Sequence, residues 1–150
     1  MLRDPALIPL SRQHQHGLAL CVMTRRALRA DGSAENVRKL SERIIDQFEI
    51  ELTNHFAVEE EYLFPMIERE LGGMATVAEL IADHRALERM AGAMRTAPAA
   101  DLLEQFCGLL RRHIRREENE LFEDIQRRLP KETLAAAGKE IDARVIRVCL

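Results

Sequence analysis

The stretch NHFAVEEEYLFP, Asn54 to Pro65, decides how this chain is read. Followed by threes and fours from upstream, one face carries Ile45, Phe48, Leu52, His55, Glu59, Leu63 and Met66. The apolar period is that of an α-helix, yet two polar groups interrupt it. An ionised carboxylate buried alone costs on the order of several kcal/mol, so a glutamate in mid-stripe demands a partner.

The same construction recurs twice. The next helical stripe reads Val77, Leu80, His84, Glu88, Ala91 and Met94, and the one after it Phe106, Leu110, His113, Glu117, Leu121 and Ile125. His55, His84 and His113 stand at intervals of 29 residues, about half a helix, a turn and half the next helix, which can return all three to one level in an antiparallel bundle. Upstream, LSRQHQHGLALCVM supplies His14 and His16. From His16 a stripe runs through Leu20, Met23 and Ala27, which selects His16; His14, two residues away, points roughly to the opposite face.

No lysine or arginine lies in these stripes at the level of the histidines, so the compensating positive charge is expected from metal. A histidine and a glutamate four apart sit one above the other on a helix and offer an imidazole nitrogen and a carboxylate to a common point. A bridging carboxylate can then join two ions. Mixed imidazole and carboxylate donors, without thiolate, suit a non-haem centre of two iron ions, with manganese or zinc as chemical alternatives.

Strand signals are nearly absent, and Pro5, Pro9, the runs ADGS, LGG and APAA, and Pro130 punctuate the chain. Four helices are expected at about 11–29, 34–70, 75–95 and 101–129, with a shorter fifth from 131 toward 145. Ser11, Ser33 and Asp101 are the expected N-caps, and Pro65 is expected to bend the second helix. Short connections favour antiparallel neighbours, hence an all-α, up-down-up-down four-helix bundle in one domain, 1–150, with a C-terminal appendage over 130–150. That last segment offers Ile141, Val145 and Val148 for capping the bundle or for pairing with a second chain as a homodimer.

Composition supports one globular domain: 150 residues, 47% hydrophobic, 31% charged, net charge -3. The arginines are interleaved with acids, which speaks against a nucleic-acid partner. Neither a signal sequence nor a run of ~18 apolar residues for a membrane span is present. Cys21, Cys107 and Cys149 are widely spaced, as expected of a reduced, cytoplasmic protein. No serine or cysteine nucleophile constellation and no glycine-rich phosphate loop stands out.

With a histidine on the first helix, HFAVEEEYLFP on the second, DHRALE on the third and HIRREENELF on the fourth, the sequence resembles the hemerythrin-like, or HHE cation-binding, family over about 10–129. The resemblance implies a four-helix bundle around two irons, with His55, His84 and His113 as terminal imidazole ligands and Glu59 and Glu117 as bridging carboxylates. It makes His16 the first-helix ligand. Oxygen-carrying hemerythrins present a second histidine where Glu88 stands and an aspartate one residue beyond Glu117, so the chain looks closer to the bacterial subgroup. Glu88 is carried as a further metal contact, with an acceptor for a ligating imidazole and a stripe-edge residue beside Leu87 as the alternatives. Glu60, Glu61, Glu118 and Glu120 read as a solvated face, with Glu118 in reserve for Glu117.

The expected function is a small cytoplasmic di-iron protein that binds oxygen or nitric oxide, or handles iron. The alternatives are a di-iron redox enzyme acting on peroxide, nitric oxide or damaged iron sites, and a metal-free helical interaction module.

Overall fold

The computed structural model describes residues 2–148, so Cys149 lies outside the described residues. Among them there is no strand, and the chain is all-helical. A 3-10 turn, Pro5–Leu7, is capped by Asp4, whose carboxylate accepts from the Ala6 amide at 2.9 Å. It leads into α1, Ile8–Ala30. The helix therefore begins ahead of Ser11, because Pro9 is tolerated in a first turn whose amides lack partners anyway. Ser33 does cap α2, accepting from Asn36 N–H at 3.2 Å. Asp101, by contrast, falls inside its helix, which starts at Ala100.

Helix α2 is continuous but not uniform: Ala34–Gln47, a π turn at Phe48–Leu52, Thr53–Val58, a second π turn at Glu59–Leu63, and Phe64–Leu71. In the second wide turn the Phe64 amide donates back to the Glu59 carbonyl, five residues upstream. Pro65 follows directly, so its missing N–H and ring fall where four-residue bonding is already abandoned. After α3, Ala75–Thr96, helix α4 repeats the device: Ala100–Arg116, a π turn at Glu117–Leu121, and Phe122–Arg128. Single π turns often mark functional positions. Here two of them begin at the glutamates singled out by the H-x-x-x-E pattern.

Neighbouring helices are tied by named pairs. Gln13 reaches Asn54 at 3.1 Å and Asn36 reaches the Ala27 carbonyl at 3.2 Å, joining α1 to α2. Glu60 pairs with Arg85 and Glu49 with Arg95 between α2 and α3. Asp83 meets His113 at 3.1 Å and Glu79 meets Arg116 at 3.3 Å between α3 and α4, while Ser11–Glu118 at 2.8 Å and Arg25–Glu104 at 3.2 Å join α1 to α4. One surface departs from the expected mixing of charge: Arg25, Arg26, Arg29, Arg111 and Arg115 gather round a single cleft of about 340 Å³.

The apolar interior forms two clusters. One includes Leu7, Leu10, Leu63, Phe64, Ile67, Leu80, Phe122 and Ile125; the other includes Leu40, Ile44, Phe56, Leu87, Leu103, Phe106 and Leu110. Helix α5, Lys131–Arg144, buries Leu134, Ala137 and Ile141 in the first cluster, so Ile141 is spent within the chain. At Gly138 this helix meets the N-terminal turn so closely that a Cβ would lie 2.9 Å from the Ala6 Cα. Because backbone cannot yield as a flexible side chain does, Gly138→Ala is expected to destabilise the fold by about 1–3 kcal/mol, read as a lowered midpoint in urea.

Candidate metal centre

Six side chains converge between the two apolar clusters. They are His14 from α1, His55 and Glu59 from α2, His84 from α3, and His113 and Glu117 from α4, each no more than 4% exposed. His55 Nε2 lies 3.3 Å and His84 Nε2 3.2 Å from Glu59 Oε1; His14 Nε2 lies 3.4 Å from Glu117 Oε2 and His113 Nε2 2.5 Å from Glu117 Oε1. The donor atoms fall into two groups, His14, His55, Glu59, Glu117 and Glu59, His84, His113, Glu117, and within each they lie within 4.8 Å of one another. Both glutamates belong to both groups. Phe56 stacks on His84 at 3.9 Å between ring centroids and Phe122 on His14 at 5.5 Å, so the polar layer is walled by aromatic carbon.

Each imidazole turns its other nitrogen outward to an acceptor on a neighbouring helix. Gln13 on α1 serves His55 Nδ1 at 2.9 Å; Glu60 on α2 serves His84 Nδ1 at 2.7 Å. Asp83 on α3 serves His113 Nδ1 at 3.1 Å, and Glu118 on α4 closes the ring at His14 Nδ1, 2.9 Å away. Every acceptor stands next in sequence to one of the six converging residues, but serves the histidine of the following helix. With Nδ1–H donating outward, the tautomer leaves the Nε2 lone pair facing the interior.

Four Nε2 atoms and the four carboxylate oxygens of Glu59 and Glu117 are therefore buried without a hydrogen-bond partner. Such an arrangement fits a cation: every inward atom is a donor of electrons, and no lysine or arginine answers them.

The charges of the metal-free site reflect the same crowding. Burial and the nearby Glu117 raise Glu59 well above the ordinary carboxylate range, so it is held as the neutral acid. Burial opposes ionisation of Glu117 too, but the charge of the adjacent His113 prevails and holds it well below that range. Burial keeps His55 neutral and lowers His84 to about 3. For His113 burial is outweighed by Glu117 and Asp83, which raise it to about 9, and for His14 by Glu117 and Glu118, which raise it as well.

Five of the seven residues expected to face metal are brought together, and two are not. His16 is displaced by His14. The buried face of α1 is Leu10, Gln13, His14, Gly17, Leu20, Cys21 and Thr24, whereas Met23, which favoured His16, is 48% exposed. Gly17 is the reason: a Cβ there would lie 3.3 Å from Ile114 Cδ1, so this bare position is where α4 approaches. His16 instead pairs with Glu51 at 2.7 Å, outside the six. Glu88 stays at the half-buried edge of α3, held by Arg85 at 2.6 Å, because the buried face of α3 passes through Leu87. Gln13, Glu60, Asp83 and Glu118 were missed as a ring. Their adjacency to the inward residues was the available signal.

A helical protein with buried histidine and glutamate groups that could hold a metal ion is what fold and site define. The model of the hemerythrin HHE cation binding domain matches residues 9–125, and the chain belongs to that family. No curated protein matches it, and no solved structure does.

Among the described residues no helix is long and apolar enough to cross a membrane.

Proposed function

We propose that this chain is a cytoplasmic non-haem di-iron protein that binds oxygen or nitric oxide, or handles iron. The observation that carries this reading is the set of inward atoms without partners: four imidazole nitrogens and two carboxylates in one buried layer. His14, His55, His84 and His113 would hold the ions together with Glu59 and Glu117, the two carboxylates that belong to both donor groups. Imidazole and carboxylate donors suit iron, which would supply redox and ligand-binding chemistry when bound. The chain's part is to hold the donors, orient the imidazoles through the outer ring of acceptors, and exclude water. Burial this complete favours a diatomic ligand over anything larger.

The helix pairs support an antiparallel, up-down-up-down bundle forming one domain over 1–150, because along each interface one partner's number rises as the other's falls, from Gln13–Asn54 to Ala27–Asn36 for α1 and α2.

Elemental analysis of protein expressed in iron-rich medium is expected to give about two irons per chain, with ultraviolet bands of an oxo bridge. His14→Ala should lose much of that iron, while His16→Ala and Glu88→Ala keep it. Iron-free protein, or equal losses in all three variants, would refute the reading.

Proton release supplies an independent check. A ligating His113 must lose its proton, and His113 titrates near 9 in the metal-free site against 6.5 for a free imidazole. Apparent metal affinity is therefore expected to keep climbing from pH 6.5 to about 9, past the point where a free imidazole would level off. In the metal-free protein the sign reverses: the raised value adds stability below pH 6.5 that is lost as pH passes 9.

A further inference from the structure

Three links of the outer ring are carboxylates, Glu60, Asp83 and Glu118, which when ionised can only accept. The fourth, Gln13, is an amide. Turned one way it shows His55 an oxygen; turned the other way it shows an NH₂ group and would force the ring proton onto Nε2, into the site. Something must decide. Gln13 Nε2 donates to Asn54 Oδ1 at 3.1 Å, with a longer approach to the Ile146 carbonyl at 3.5 Å. Asn54 is also an amide, but two of its partners are backbone groups of fixed polarity. The Ile146 N–H donates to Asn54 Oδ1 at 3.0 Å, and Asn54 Nδ2 donates to the Arg144 carbonyl at 3.0 Å.

We infer that Asn54, clamped by the backbone that leaves α5 at Arg144 and Ile146, sets the tautomer of His55 through Gln13. The direction of each bond follows from the one before. The Ile146 N–H makes Oδ1 the acceptor edge of Asn54; that edge takes the Gln13 NH₂; the Gln13 oxygen then faces His55 Nδ1–H; and the Nε2 lone pair is left 3.3 Å from Glu59. Asn54 and Gln13 are thus positioning residues. The end of α5 and the residues after it do more than cover the bundle: the backbone of Arg144 and Ile146 supplies the polarity reference that an amide in the ring requires.

The test compares Asn54→Leu with Asn54→Asp, which sets an acceptor oxygen in place of the donor to Arg144 but still accepts from Gln13 and Ile146. In metal-free protein, long-range ¹⁵N–¹H correlations of the imidazoles report each ring's tautomer. Wild type and Asn54→Asp are expected to show His55 protonated at Nδ1, and Asn54→Leu to show Nε2–H or a mixture. Anaerobic titration with iron(II) should then find one of two sites weakened at least ~10-fold in Asn54→Leu, the size of loss expected when an imidazole's orienting partner is removed. Retention of the Nδ1–H form in Asn54→Leu overturns the inference, as does weaker binding with the tautomer unmoved, or loss of the Nδ1–H form in Asn54→Asp. The titration rests on the di-iron reading, but the tautomer measurement does not. Wild-type protein that took up no iron(II) would sink that reading while leaving the role of Asn54 decided by the spectra.

Discussion

Chelation is expected to lower the thermal midpoint of the metal-loaded protein by about 10–20 °C. Free metal at about 100 times its dissociation constant stabilises a folded chain by about 2.7 kcal/mol per site, and two sites double that. For a chain of this length each kcal/mol moves the midpoint by about 2–4 °C. The physical source is the buried layer itself, where His14, His55, His84 and His113 turn unpartnered nitrogens toward Glu59 and Glu117. Differential scanning calorimetry with and without chelator makes the measurement, and a midpoint indifferent to metal would remove the basis for any ion at this place.

Glu59→Leu is expected to change the sign of its effect with metal. Without metal, Glu59 is a fully buried acid whose two oxygens find no hydrogen bond, and leucine of similar volume relieves it of that cost. The metal-free variant should be more stable than metal-free wild type by about 1–3 kcal/mol. In the presence of metal the order inverts, because Glu59 belongs to both donor groups and its loss weakens both. At least one ion's worth of stabilisation, about 2.7 kcal/mol, should disappear. Denaturant midpoints of both proteins in both states give the four values needed. Glu61→Ala, at an exposed position, is the control and should move none of them. A variant that destabilised both states alike would show Glu59 to be ordinary core.

The centre of the site was legible because helical periodicity is a local property. His55, Glu59, His84, His113 and Glu117 each interrupt an apolar stripe at a spacing that leaves no other face for them, and the structure buries all five. The helical class was legible for the same reason. The first helix was not, since the stripe through Leu20, Met23 and Ala27 points to His16, whereas the buried face runs through His14 and Gly17, a residue with no side chain to register in an apolar pattern. Glu88 failed in the opposite way: it continues the spacing from His84, but the buried face runs through Leu87 and leaves Glu88 with Arg85.

By itself, then, the sequence determined that helices would carry paired histidines and glutamates inward, because which side of a helix a residue occupies depends only on its neighbours along the chain. Only the tertiary structure decided which first-helix histidine joins them and how Gln13, Glu60, Asp83 and Glu118 pass support from each helix to the next. Those contacts join residues from 24 to 104 positions apart, and their geometry depends on how closely two helices approach and at what register, which no single stripe contains.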